Sequence, residues 1–380
     1  MTSPARPPGP RYPGVKPIDP SRILPELPQG ADVLVVRLRS LGDVVMLTPA
    51  LAALHQWRPD LRVRVVVEPL YAAILEGNPA VAEAIPFDAF LPCAAALRRR
   101  RFPAVFNQHG GPTSALLTAA IGAPVRVCWA HCQFPFVYSV RVPGGEHFYG
   151  PRKVHTVEHR LTQFYWCGLP RGPIPRPSVY PQPEARAAVA GRLAQSGLAP
   201  GAAYAVVHAG AAYFTKRWSL PGFAGVGQWL KRETGATPVF ILGPADREIA
   251  EPLRESAGPG AIFLDSLRLR ELIALLAGAR LFLGNDSGPA HLATAAGCPN
   301  VVIFGSSDST LWRPWQAPHR IVQNHYHCNP CRGDRCYAFA EPQCILSVSE
   351  EQVRAACAEL LQIRNSKLEI RNPRAHRGQL

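Results

Sequence analysis

No stretch of this chain approaches the roughly 18 consecutive apolar residues that a membrane-spanning helix requires. The opening segment MTSPARPPGPRYPGVKP has no apolar core of the kind a secretory signal carries, so the expected compartment is the cytoplasm. Acidic residues are scarce: 27 Asp and Glu stand against 41 Lys and Arg, a formal charge of +14 that favours anionic partners. Aromatic residues make up 8% and form no platform interleaved with the basic runs, so a nucleic-acid partner is not expected. Short-period repeats are absent as well. The ten cysteines are mostly dispersed through a long chain without a signal, which predicts reduced thiols rather than a disulfide framework.

What remains is a globular composition, 47% hydrophobic and 18% charged with a mean hydropathy of −0.02. A chain of 380 residues is long enough for two domains, each with its own core. Nine prolines fall in the first 28 residues and keep that segment out of regular structure, as a mobile or loosely packed extension. From Ala31 onward, short apolar strands alternate with helical stretches. The run Val33 to Arg37 leads through Ser40-Leu41-Gly42-Asp43 into a helix over VVMLTPALAALHQW, and further strands fall at 62–67, 104–107 and 125–127. After the proline-dense segment RGPIPRPSVYPQP at 171–183, a second block carries strands at 205–208, 238–242, 261–264, 281–284 and 301–304. This alternation predicts an α/β chain with two doubly wound, Rossmann-like domains and a functional cleft between them. The boundaries read as an extension over 1–29, domains over 30–195 and 196–348, a closing helix over 349–363 and a basic tail over 364–380.

Three loops sit where open α/β sheets bind ligands, at the carboxyl ends of strands. In the first, Gly42 permits close backbone approach and Asp43 stands at a helix start, where an acidic residue is also an ordinary cap. In the second, AVVHAG is followed by Lys216-Arg217-Trp218, two cations suited to a diphosphate or to a solvated turn. In the third, NDSGPAHLATAAG places Asn285 to Pro289 before a helix that carries His291. The free N–H groups at such a helix start form an anion site.

Taken together, SLGDVVMLTPAL, HAG with KRW, LGPADREIA and NDSGPAHLATAAGCPNVVIFG, in that order over about residues 31–345, resemble glycosyltransferase family 9, the ADP-heptose heptosyltransferases of lipopolysaccharide core assembly. The resemblance implies the GT-B architecture, with the acceptor held mainly by the N-terminal domain and the sugar nucleotide by the C-terminal one. It implies transfer from an ADP-heptose donor to a glycolipid acceptor with inversion, without a covalent intermediate or an obligatory metal. Asp43 matches the family's general base, and Lys216 its diphosphate-binding cation, with Arg217 beside it. Ser287 and Gly288 match the phosphate-binding loop, and Asp286 and His291 the sugar-binding part of that motif. Glu248 matches the acid that binds the ribose, with Asp246 as the competing choice.

Two features lie outside this pattern. Cys328, Cys331, Cys336 and Cys344 follow C-x2-C-x4-C-x7-C, a donor set suited to zinc or an iron–sulfur cluster. The spacing is not that of a paired C-x2-C ribbon, and the resemblance favours an inherited structural loop, so no metal or other cofactor is expected. The run Arg98 to Arg101 ends a helix and complements its dipole. With the basic tails it also supplies charge for peripheral contact with an anionic membrane face, the inner membrane in this reading.

Overall fold

The structure, a computed structural model, describes residues 18–362. Two six-stranded parallel sheets form the frame. The first contains β1 (Asp32–Val36), β2 (Arg62–Val67), β3 (Glu83–Pro86), β4 (Ala104–Asn107), β5 (Val125–Trp129) and β6 (Val140–Val142), in the order β3-β2-β1-β4-β5-β6. The second contains β7 (Tyr204–His208), β8 (Thr237–Leu242), β9 (Ile262–Asp265), β10 (Leu281–Asn285), β11 (Asn300–Ile303) and β12 (His319–Val322), in the order β12-β11-β10-β7-β8-β9. In each sheet the strand order reverses beside its first strand, between β1 and β4 and between β7 and β10. A crevice opens at such a reversal because the flanking connections leave on opposite faces.

The central strands are largely apolar because both faces of the sheets are covered there. Val33 and Val35 of β1 pack into one core while Leu34 and Val36 pack into another, as period-two alternation requires. The larger core runs across both halves, taking in Val206 of β7 and Phe282 of β10. The proline-dense linker is fastened to each half: Ser178 N donates to Thr48 Oγ1 at 3.2 Å, and Val179 N donates to the Ala295 carbonyl at 3.2 Å. The helix Pro183–Gln195 that follows packs against the helix Leu269–Gly278. The closing helix spans Glu350–Leu361.

Several details differ from the sequence reading. The proline-rich extension is partly regular: Asp19 caps a turn at Pro20–Arg22 that runs into a helix at Ile23–Glu26, with Ile23 and Leu24 buried and Leu24 N bonded to the Cys167 carbonyl. Proline at a first helical position surrenders no hydrogen bond, so proline density did not prevent helix formation here. Residues 1–17 and the tail from 363 lie outside the described residues. The single helix expected after β1 is two, Leu41–Val45 and Thr48–Trp57, with Pro49 in the first turn of the second. Cys128 and Cys132 are joined in a disulfide, against the expectation of reduced thiols; the chain reverses just after β5 and brings their Cα atoms to 6.4 Å. The other described cysteines are free. Among the described residues no helix is long and apolar enough to cross a membrane.

Candidate active site

The site is built from strand ends of both sheets. On the N-terminal side Asp43 lies in the short helix directly after β1, at the strand reversal. Arg37, the residue after β1, places Nη2 at 2.5 Å from Asp43 Oδ2, and Arg160, on the helix Thr156–Trp166, places Nη2 at 2.7 Å from Oδ1. Ser40 Oγ donates to Oδ2 at 3.1 Å. Both arginines also donate through Nη1 to one backbone carbonyl, that of Gln108, at 2.6 and 2.9 Å. Burial alone would raise the Asp43 pKa, but the two guanidinium groups outweigh it and hold the carboxyl below its ordinary range. Burial and the neighbouring Arg160 charge together bring Arg37 down to about 9.

Across the cleft, Asp286 follows β10 and is buried. Its Oδ2 accepts from Lys216 Nζ at 2.8 Å and from Ser307 Oγ at 2.5 Å. Ser287 is the N-cap residue of the helix Gly288–Ala295, and its hydroxyl lies 3.3 Å from His208 Nδ1 at the end of β7. His208 Nε2 in turn stands 3.5 Å from Asp246. Asp246 also accepts from Gly243 N at 2.7 Å. Burial pushes the Asp246 carboxyl up, but His208, the Gly243 amide and the Arg217 charge bring it below its usual value. His291 is buried on the helix Gly288–Ala295 and has a lowered pKa, with burial the main cause.

The two sides meet at one cleft of about 480 Å³, which Ser40 to Asp43 enter from one side and Lys216, Asp246 and Asp286 to Pro289 from the other. A second hollow of about 270 Å³ adjoins it, sharing His208 and Pro289 and otherwise lined mainly by apolar or backbone groups such as Leu242, Gly243, Leu267 and Leu272. The expected residues Asp43, Lys216, Asp286, Ser287, Gly288 and His291 are thus brought to one cavity. Glu248 is not: it is exposed in the first turn of the helix Arg247–Ala257, while Asp246 faces the cleft. The physical reason is the 3-10 turn Pro244–Asp246, which points the first carboxylate inward before the helix begins. Arg217 is also outside the lining, its Nε bonded to the Ala211 carbonyl at 2.9 Å.

The four clustered cysteines line a separate small hollow with Thr215 and Ser306, the residues just before Lys216 and Ser307. Among the described residues no group of three His, Cys, Asp or Glu side chains is placed to hold a metal ion. Arg98 to Arg100 end the helix Phe90–Arg100 and Arg101 is its C-cap, so the run leads into the amino end of β4, the end of the sheet opposite Asp43. Arg100 there pairs with Glu83 at 2.8 Å.

A carboxylate held ionised faces a partly buried cation and a helix amino terminus over one cavity, which suits proton removal on one side and anion stabilisation on the other. The family model for glycosyltransferase family 9 (heptosyltransferase) matches residues 91–339, well over half of the chain. The chain belongs to glycosyltransferase family 9. This family 9 glycosyltransferase is 28% identical over 338 residues to lipopolysaccharide heptosyltransferase 1 of Pseudomonas aeruginosa, covering 80% of this chain and 87% of the relative. It is 26% identical over 300 residues to lipopolysaccharide heptosyltransferase 3 of Escherichia coli, covering 73% and 84%. In fold it is similar to the Escherichia coli ADP-heptose lipopolysaccharide heptosyltransferase II, with a TM-score of 0.73 at 21% identity over 87% of this chain and 98% of that one. The two facing parallel sheets are the GT-B arrangement expected for a family 9 enzyme.

Sequence reasoning on this family 9 chain did not find Arg37, Arg160 or His208 as site residues. Arg37 left a signal, a cation closing an otherwise apolar strand. Arg160 left none, being 117 residues from the carboxylate it pairs with.

Proposed function

We propose that this enzyme transfers heptose from an ADP-heptose donor to a lipopolysaccharide core-type acceptor, with inversion at the anomeric carbon. The observation that carries the reading is the opening of Asp43 and Lys216, one from each half of the molecule, onto a single cleft. The acceptor hydroxyl lies against Asp43. As its oxygen bonds to the anomeric carbon, its proton passes to the Asp43 carboxylate, the bond from that carbon to the phosphate oxygen breaks, and ADP leaves with the electron pair. Asp43 holds its proton weakly, so transfer is favourable only once the new bond has made the hydroxyl acidic. Lys216 and the amide groups at Ser287 and Gly288 stabilise the departing diphosphate. Asp286 takes sugar hydroxyls while held by Lys216 and Ser307.

The apolar hollow beside the cleft suits the nucleotide base, with Asp246 rather than Glu248 at the ribose. Related solved structures are described with ADP and with ADP-2-deoxy-2-fluoro heptose, which supports an adenosine donor. Protein cations supply the leaving-group charge, so no metal is required. The basic run at Arg98 to Arg101 suits peripheral contact with the anionic cytoplasmic face of the inner membrane.

Thermal stabilisation by ADP, UDP, GDP and dTDP, each with and without chelator, tests the donor assignment on wild type and Lys216→Ala. An ADP-selective, chelator-insensitive shift that weakens by roughly tenfold in affinity in the variant is expected, the size of one lost charge-assisted contact. Selectivity for another nucleotide would retain the glycosyltransferase and discard the heptose.

A further inference from the structure

Asp43 is held by more than a pair of charges. Arg37 and Arg160 each donate one nitrogen to the carboxylate and another to the Gln108 carbonyl, closing a ring of four hydrogen-bonded groups. The ring is anchored beyond itself. Gln108 is fully buried, its amide N donates to the Val36 carbonyl, and its Nε2 donates to the Arg160 carbonyl at 3.0 Å. Arg160 lies over the Trp129 ring at 5.3 Å, and its Nε is buried without a partner, as is that of Arg37. A buried guanidinium that leaves one donor unpaired is costly to retain for stability alone.

We infer that Arg160 is a positioning residue, which with Arg37 ties the Asp43 carboxylate to the Gln108 backbone so that it stays ionised and aimed into the cleft. The inference rests on the reading of Asp43 as the base. The planar fork matters because it presents separate nitrogens to Asp43 and to Gln108 in one fixed geometry. Lysine in its place keeps the charge and loses one of the two bonds; glutamine loses the charge. The other titratable groups around Asp43 are His109 after β4, His291 on the facing helix and Tyr71 on the turn Pro69–Ile74. The pKa of His109 is brought to about 4, by burial first and then by Arg37 and Arg39, so it is neutral above about pH 5 and charges only at the acid end of a pH scan.

The test combines two readouts. Equilibrium unfolding across about pH 2 to 8, in wild-type and Arg160→Gln backgrounds with and without Asp43→Asn, reports the pH at which the contribution of Asp43 vanishes, and needs no substrate. Removing one of two adjacent opposite charges should move that pH up by about one unit in the Arg160→Gln background. The second readout is the acid limb of kcat with ADP-heptose and acceptor, which should move up in Arg160→Gln and stay in place in Arg160→Lys. In Arg160→Lys, kcat itself should fall about tenfold while KM for the donor is unchanged, since the donor is bound by the other half. An Asp43 contribution that vanishes at the same pH with and without Arg160, or an Arg160→Lys enzyme with wild-type kcat, overturns the inference. If Arg160→Gln does not fold, the Arg160→Lys rate decides. Absence of heptose transfer by wild type would instead count against the donor assignment, leaving the unfolding arm to judge the clamp.

Discussion

Gly42 and His291 meet across the cleft so closely that a β-carbon on Gly42 would stand 2.7 Å from His291 Cδ2. The first belongs to the helix that carries Asp43 and the second to the helix that begins at Gly288, so this contact sets the spacing of the two halves where the site lies. Gly288 repeats the arrangement from the other side, its β-carbon position lying 3.1 Å from the Leu41 side chain. His291 is buried and cannot swing into solvent. Gly42→Ala should therefore destabilise by about 1–3 kcal/mol, the usual cost of overpacking, and lower kcat by parting Asp43 from the donor loop. Urea unfolding and kcat on the same variant check this. A change within about 0.5 kcal/mol would show that the two helices separate freely.

Asp246, not Glu248, should govern nucleotide affinity. Both follow the LGP turn after β8 and differ by two positions, but one is buried against His208 and the Gly243 amide while the other is exposed. Asp246→Asn is expected to weaken ADP binding by roughly tenfold, the loss of one charge-assisted hydrogen bond, and Glu248→Ala to leave it unchanged. Calorimetric titration of ADP into each variant distinguishes them. Equal effects would mean that the ribose reaches beyond the cleft as it stands.

How much of this was legible in the residues depends on which residues carried a local pattern. Nine of the twelve strands among the described residues are short, largely apolar runs that can be read from the sequence. The three missed, β3, β6 and β12, are edge strands of three or four residues, too short for a pattern and broken by polar or proline residues. The helix Thr156–Trp166 was missed for a different reason. Val157, Leu161 and Phe164 form a short apolar stripe on it, but Glu158, Arg160, Thr162 and Gln163 are buried beside them, so the segment reads as too polar to be recognised as a core helix. Each is buried with a partner: Arg160 on Asp43, Gln163 on the Asn107 carbonyl, Thr162 on Trp129 Nε1 and Glu158 on Arg152. The motif residues at strand ends were legible because the loop chemistry is local. The partners that tune them are not, since Asp43 meets Arg160, and Lys216 meets Asp286, only through the fold.

Acid should loosen the molecule before its carboxylates titrate. His155 caps the helix Thr156–Trp166, its Nδ1 accepting from Val157 N at 3.1 Å, while Nε2 bonds the Arg313 carbonyl of the other half at 2.9 Å. With Nδ1 accepting, the proton sits on Nε2 and donates to Arg313; a second proton on Nδ1 would face the Val157 amide. Burial brings the His155 pKa down to about 4, against about 6.5 in the unfolded chain. A depressed folded pKa means that the unfolded chain binds more protons between those values. The stability from neutral His155 is therefore complete above about pH 6.5 and is lost as pH falls toward about 4, costing about 2 kcal/mol by pH 5. His109 and His159, each also brought to about 4 chiefly by burial, act in the same direction. Replacing His155 by Asn, which retains a capping acceptor, should reduce the fall in unfolding free energy between pH 6.5 and 5 by roughly a third, its share among three comparable groups. Denaturant titrations of both proteins at those two pH values measure it, and an unchanged fall would assign the acid sensitivity to His109 and His159 alone.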